Sequence, residues 1–389
     1  MQHDAGTLKS GSRPLRNGLP DNIRRLVVKA GSRVLVDEHG RPDRDQITAL
    51  IDQIAGLHGK GYEVIFVSSG AIAAGVQALG WTHRPVGLPD LQMAAAVGQG
   101  VLLNFYSEQL ARHGCRLGQV LLTHADLNDR VRHLNARNTI MAMLRNRVIP
   151  VVNENDVVAV DEIRFGDNDL LAAMAATLVD ADLLVLLTTS NGLFRTEDGR
   201  LTERIPQLED ITDETLEMAQ GKGSSWSSGG MASKLQSADR ANQAGTPVII
   251  ADGHQPDILE RLLAGEDHGT LIRGASNRQK LRARKKWIAF FHRPQGSIYV
   301  DEGAGRAIVA KGHSLLPVGV QRAEGKFRAG ALVNIRNAEG RTIARGLTSY
   351  DREDIERIKG RRSADVPFIL GDRHHVEVIH RDNMVLLTR

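Results

Sequence analysis

Two short acidic turns carry the densest chemistry in the chain: Asn153-Glu154-Asn155-Asp156 and, after a brief connection, Phe165-Gly166-Asp167-Asn168-Asp169. The first follows Val148-Ile149-Pro150-Val151-Val152, which has the pattern of a buried strand. Carboxylates this close repel one another, so they require a counter-charge: a metal, lysines or a cationic substrate group. Two lysines beside glycines stand far off in sequence, Lys29 before Gly31 and Lys234 after Gly229-Gly230-Met231-Ala232-Ser233. Acidic turns and glycine-flanked lysines together suggest an ammonium-bearing substrate held beside a polyphosphate. That is the task of a kinase acting on an amino acid.

Each candidate also has a plainer reading. Lys29 closes an apolar strand, where packing explains a lysine poorly; it is either a phosphate contact, with Gly31 letting backbone N–H groups approach, or a solvated turn residue. Gly229-Gly230 ahead of a helix makes an anion site from free N–H groups and the helix dipole, with Ser227, Ser228 and Ser233 as donors. The alternative is a flexible surface loop, since the segment 221–230 is rich in Gly and Ser. Neither a Walker A order nor a dinucleotide fingerprint is present. Ser68-Ser69-Gly70-Ala71-Ile72-Ala73-Ala74-Gly75 opens a helix of small residues. Its serines suit a carboxylate or phosphoryl group, Ser69 better than Ser68, but also an N-cap with close helix–sheet packing. The run Asp167-Asn168-Asp169 lacks the bidentate Glu of a calcium loop. His124, His133, His374 and His375 have no zinc spacing and read as surface or turn residues.

These residues need a scaffold, and from Arg24 to about Arg273 strand-like and helix-like segments alternate. Leu26-Val27-Val28-Lys29, Val64-Ile65-Phe66-Val67, Gln119 to Leu122, Leu183 to Leu187 and Pro247 to Ile250 read as strands. Ile47, Leu50, Ile51, Ile54 and Leu57 recur at helical spacing, and further helices are expected near 91–111, 133–144 and 170–178. Nearly continuous apolar strands imply a sheet covered on both faces, a doubly wound three-layer αβα sandwich of α/β class. Ligands of such sheets bind beyond the carboxyl ends of the strands. Lys29, Ser68-Ser69-Gly70, Asn153 to Asp156 and Thr188-Thr189 all follow strand ends.

At 389 residues, two domains are expected. The anticipated order is a loose leader (1–22), a kinase-like domain (23–275), a basic linker (276–294) and a small, mostly β domain (295–389). With 50 basic against 46 acidic residues, the net charge of +4 leaves no strong nucleic-acid footprint. The single cysteine, Cys115, excludes an internal disulfide and fits a reducing, cytoplasmic setting. No apolar stretch of roughly 18 residues exists to span a membrane.

The combination of motifs resembles the glutamate 5-kinases, a branch of the amino acid kinase family. Its carriers are Val27-Val28-Lys29-Ala30-Gly31-Ser32, the run from Ser68 to Gly75, Leu134-Asn135-Ala136-Arg137, Val152 to Asp156, Phe165 to Asp169 and Gly229-Gly230-Met231. The tail, with Val300-Asp301-Glu302-Gly303-Ala304 and Ser314-Leu315-Leu316-Pro317-Val318-Gly319-Val320, resembles a PUA domain. The resemblance implies transfer of the ATP γ-phosphoryl to the side-chain carboxylate of L-glutamate, opening proline synthesis. By motif, Ser69, Asp156 and Asn168 would hold glutamate, with Asn153 and Asp167 nearby. Lys29 and Lys234 would neutralise the phosphoryl, and Asp169 would orient those lysines. Gly31, Thr188, Thr189, Ser228, Gly229, Gly230, Met231, Ala232, Ser233 and Lys234 would face ATP, with Mg²⁺ held by phosphates and water and by no protein ligand. A homo-oligomer, coupling to a downstream glutamyl phosphate reductase and RNA binding by the PUA-like tail are further expectations. Aspartate or N-acetylglutamate kinases, and a weakened homologue with a regulatory role on RNA, are the alternatives. Departures from the family pattern lie at Arg33, Thr189 and Trp226, all on the nucleotide side.

Overall fold

The structure is a computed structural model; it describes residues 19–20, 22–159, 168–197, 200–212, 214–216, 230–273, 294–371 and 377–387. The chain divides into two compact units, with the short stretch 127–132 grouped with the second. The first unit opens with β1 (Arg25–Ala30), α1 (Ser32–Leu35), α2 (Arg44–Gly59), β2 (Glu63–Val67), α3 (Ala71–Ala78) and α4 (Leu88–Ala111). It continues through β3 (Arg116–Leu122), α5 (His124–Asn128), α6 (Arg130–Arg145), β4 (Val148–Glu154), α7 (Asp169–Leu178) and β5 (Leu183–Thr188). After the hairpin β6 (Leu193–Glu197) and β7 (Arg200–Ile205) come β8 (Gln207–Leu208), α8 (Met231–Gln243), β9 (Val248–Asp252), α9 (Ile258–Leu263) and β10 (Thr270–Ile272).

Among the described residues the sheet has eight strands in the order β3-β4-β2-β1-β5-β9-β10-β8. Strands β3, β4, β2, β1, β5 and β9 are mutually parallel, so their carboxyl ends share one edge. Chain order reverses direction at β1, which pairs with β2 on one side and β5 on the other. That is the position where an open parallel sheet leaves a crevice for ligands. One edge departs from the all-parallel expectation, because β10 runs antiparallel to β9. The connection through α9 brings the chain back at the same end of the sheet instead of crossing it, which is how antiparallel neighbours are joined.

The apolar runs do what their composition demands. Leu26, Val28, Phe66, Val185 and Ile249 from the strands meet Ile47, Leu50, Ile51 and Ile54 from α2 in one core. Each such side chain, fully removed from water, contributes roughly 1.5–3 kcal/mol before entropy is counted. Asp43 starts α2 by accepting from the Gln46 N–H at 3.0 Å. Helix α7 is buried all round from Leu171 to Leu178, which its sequence of Leu, Ala and Met anticipates.

The second unit holds β11 (Gly296–Val300), α10 (Glu302–Lys311), β12 (Val320–Gly325), β13 (Leu332–Arg336), β14 (Thr342–Leu347), α11 (Arg352–Ile358), α12 (Val366–Leu370) and β15 (Met384–Leu386). Its five strands are ordered β12-β11-β13-β14-β15 around a separate core of Ile298, Ile308, Ile335, Tyr350 and Ile355. The helix α10 is not expected from the sequence, which reads this domain as mostly β. Asp301 nucleates it by capping the Ala304 N–H at 2.7 Å, and Gly312 closes it in the left-handed conformation. The basic run 278–286 lies outside the described residues.

Candidate active site

The site is built where β1, β4 and the amino-terminal turns of α3, α7 and α8 converge. Asp169 opens α7, where a carboxylate meets the positive end of the helix dipole. It is fully buried, with Lys29 Nζ 2.5 Å from one oxygen and Lys234 Nζ 2.9 Å from the other. Lys29 comes from inside β1 and Lys234 from the first turn of α8. A cation at a helix amino terminus is disfavoured by the same dipole, so helix stability does not account for Lys234. Two buried ammonium groups thus meet on one carboxylate in a poorly solvated place. Such a cluster attracts an anion far more strongly than the same charges would in water.

A second group sits beside it. Asn168 donates to the Ser68 carbonyl at 2.6 Å and to Asn153 Oδ1 at 2.5 Å, while Asn153 donates to Gln99 Oε1 at 2.5 Å. The two carboxamides therefore lock the ends of β2 and β4 and the start of α7 together. Ser68 and Ser69 part company here. Ser68 Oγ faces the buried Tyr106 hydroxyl at 2.8 Å, and burial pushes that phenol up to about 12. Ser69 Oγ is also buried but has no hydrogen-bond partner among the described residues, and Ser69 lines a small cleft of about 80 Å³. The same cleft is lined by Asn153, Glu154, Asp156, Asn168, Arg84 and His124. Burial raises the Asp156 carboxyl to about 6, and the positive charge of Arg84 pulls it partly back.

Neither serine caps α3. Gly70 does so in the left-handed conformation at φ 89°, without a side-chain bond. The small residues of α3 serve two contacts: Ala71 and Ala74 join the core with the strands, while on the other side a Cβ on Gly75 would stand 1.7 Å from the Ala94 carbonyl oxygen, and one on Gly98 1.8 Å from that of Ala71. This backbone-to-backbone approach to α4 adds to the expected helix–sheet contact.

Among the remaining candidates, the Gly31 N–H donates to the Leu187 carbonyl at 3.1 Å, which ties the turn after β1 to β5. Thr188 ends β5 half-buried and receives the Gly253 N–H on its carbonyl, whereas Thr189 is exposed beyond the strand. Gly230, Met231, Ala232 and Ser233 lead into Lys234 at the start of α8. Asp167, Trp226, Ser227, Ser228 and Gly229 lie outside the described residues, as do His374 and His375.

The profile of the amino acid kinase family matches residues 24–252, and that of the PUA domain residues 296–370. A glutamate 5-kinase of Trichlorobacter lovleyi is 46% identical over 376 residues, 96% of this chain and 100% of that one. One from Syntrophotalea carbinolica is 44% identical over 374 residues, again 96% and 100%. One from Moorella thermoacetica is 44% identical over 366 residues, 94% of this chain and 96% of that one. The chain belongs to the glutamate 5-kinase family.

Within this kinase, sequence reasoning missed Arg84, His124, Gln99 and Tyr106 as parts of the site or its support. Tyr106 and Gln99 project from α4, 38 and 54 residues from Ser68 and Asn153, the groups they hold, with no local signal beyond helical spacing. Arg84 stands in an irregular stretch between α3 and α4, where a basic residue reads as an ordinary solvated one. The surface-or-turn reading of the histidines fails at His58 and His133, which are buried, and at His124, which lines the cleft, while His39, His83, His113 and His254 are exposed as expected.

Proposed function

We propose that this kinase moves the γ-phosphoryl of ATP onto the side-chain carboxylate of L-glutamate, using the Lys29–Asp169–Lys234 cluster as its electrostatic centre. The buried carboxylate gripped by two lysines is the observation that carries the reading. A glutamate carboxylate has a reference pKa of about 4.3, so it arrives ionised and needs no general base. Its oxygen attacks the γ-phosphorus, the bond to the oxygen shared with the β-phosphate breaks, and γ-glutamyl phosphate leaves with ADP. The barrier is the approach of two anions, which fixed positive charge and positioning lower. Lys29 and Lys234 would hold the transferring phosphoryl at the spacing set by Asp169. Asp156 would take the substrate ammonium, and Ser69, Asn153 and Asn168 would orient the amino acid in the cleft.

Both Asp169 oxygens are engaged by lysine, so we assign Mg²⁺ to the nucleotide phosphates and water, where it would offset phosphate charge. The product is a mixed anhydride prone to hydrolysis, so a reductase that consumes acyl phosphates is its natural successor, and a cytoplasmic setting suits both. The test is hydroxamate formation from L-glutamate, ATP, Mg²⁺ and hydroxylamine, with aspartate and N-acetylglutamate run alongside. Product with glutamate alone supports the assignment; a preference for either competitor, or no hydroxamate from folded enzyme, overturns it.

A further inference from the structure

Glutamate carries three charged groups, and the residues discussed so far answer only two of them. The side-chain carboxylate goes toward the lysine cluster, and the ammonium toward Asp156. The main-chain carboxylate is bonded to the same carbon as the ammonium, so its partner must lie within a few ångströms of Asp156. Lys29 and Lys234 cannot serve, because Asp169 holds both on the phosphoryl side.

Arg84 meets the requirement. It lines the same cleft as Asp156, Ser69 and Asn153, and its charge is felt at the Asp156 carboxyl. Arg84 is exposed at the mouth of this cleft and makes no hydrogen bond or ion pair with another described residue, whereas Arg25 is paired with Glu63 and Arg137 with Asp180. Beside it the buried Ser69 Oγ is also without a partner among the described residues. Arg84 and Ser69 border one cleft, and an anion with several lone pairs bound there would take donors from both. A carboxylate supplies them, and a planar guanidinium pairs with it through two parallel hydrogen bonds.

We infer that Arg84 is a specificity-determining residue that binds the main-chain carboxylate of the amino-acid substrate and so decides which of its two carboxylates reaches the phosphoryl group. This rests on the reading of the cleft as the glutamate site. With the ammonium on Asp156 and the main-chain carboxylate on Arg84, only the side-chain carboxylate is left to project toward Lys29 and Lys234. A compound lacking the main-chain charge loses this anchor and leaves the guanidinium unmatched.

The test compares wild type, Arg84→Ala and Arg84→Lys using L-glutamate as substrate and its main-chain amide, L-isoglutamine, as competitor. A charge-assisted pair is worth about 1.5–3 kcal/mol, so Arg84→Ala should raise the KM for glutamate roughly 10- to 100-fold. The inhibition constant of isoglutamine and the KM for ATP should stay within about twofold, and Arg84→Lys should recover part of the loss. If Arg84 acts only by tuning Asp156, glutamate and isoglutamine weaken equally, and the inference is overturned; an unchanged KM for glutamate overturns it too. Wild-type enzyme inactive toward glutamate would instead remove the underlying site reading.

Discussion

Single residues divide into those that hold charge and those that aim it. Lys234→Ala removes one cation but leaves Asp169 paired with Lys29, so kcat should fall roughly 10²- to 10³-fold with little loss of stability. Asp169→Asn leaves two buried ammonium groups facing a neutral amide. Both activity and stability should then drop, the latter by about 3–5 kcal/mol in chemical denaturation. Finding the two variants equally stable would contradict the proposed division. Asp156 adds a pH signature. Its carboxyl lies at about 6 in the fold against an ordinary 3.8, so burial penalises its charged form. Below about pH 4 the group is protonated in folded and unfolded chains alike and the penalty is absent. Between about pH 4 and 6 the penalty grows, and above about 6 it is complete, at up to about 3 kcal/mol in the unliganded enzyme. Asp156→Asn should therefore raise the melting temperature at pH 8 and leave it unchanged near pH 4. The same variant should weaken glutamate binding, and wild-type KM for glutamate should climb as pH falls below about 6. An Asp156→Asn enzyme that is both more stable and equally avid would assign the ammonium to another group.

At the scale of elements, three amino-terminal helix turns do the positioning, and α3 depends on a contact with no slack. The Gly75–Ala94 and Gly98–Ala71 approaches leave no room for a methyl group. Gly75→Ala should separate α3 from α4 and lower stability by about 1–3 kcal/mol in denaturant midpoint measurements. Because α3 begins at the Ser69-Gly70 turn, KM for glutamate should rise in the same variant while KM for ATP changes less. Strand ends were legible as a set in the sequence, since Lys29, Ser69, Asn153 and Thr188 each follow an apolar run. The antiparallel β10 and the helix α10 were not, because an edge pairing and a cap-driven helix depend on partners and on a few residues that periodicity does not register.

For the whole molecule, the described site residues all belong to the first unit, and the second has its own core. A chain ending near residue 275 should keep kcat for hydroxamate formation within a few-fold of the full chain. A loss beyond tenfold in a folded truncation would mean that the second unit contributes to the reaction. Among the described residues no helix is long and apolar enough to cross a membrane.

The sequence by itself determined the alternation of strands and helices and the lysines and acids at their ends, because each follows from local composition and spacing, and its motifs carried the resemblance to the kinase family. Only the tertiary structure decided which charges meet. Asp169 joins Lys29 and Lys234 across 140 and 65 steps of chain, Ser68 turns to Tyr106 while Ser69 keeps to the cleft, and Arg84 comes to border the cleft beside Asp156. Those outcomes rest on the parallel sheet bringing distant strand ends to one edge, and on burial fixing which polar groups find partners there.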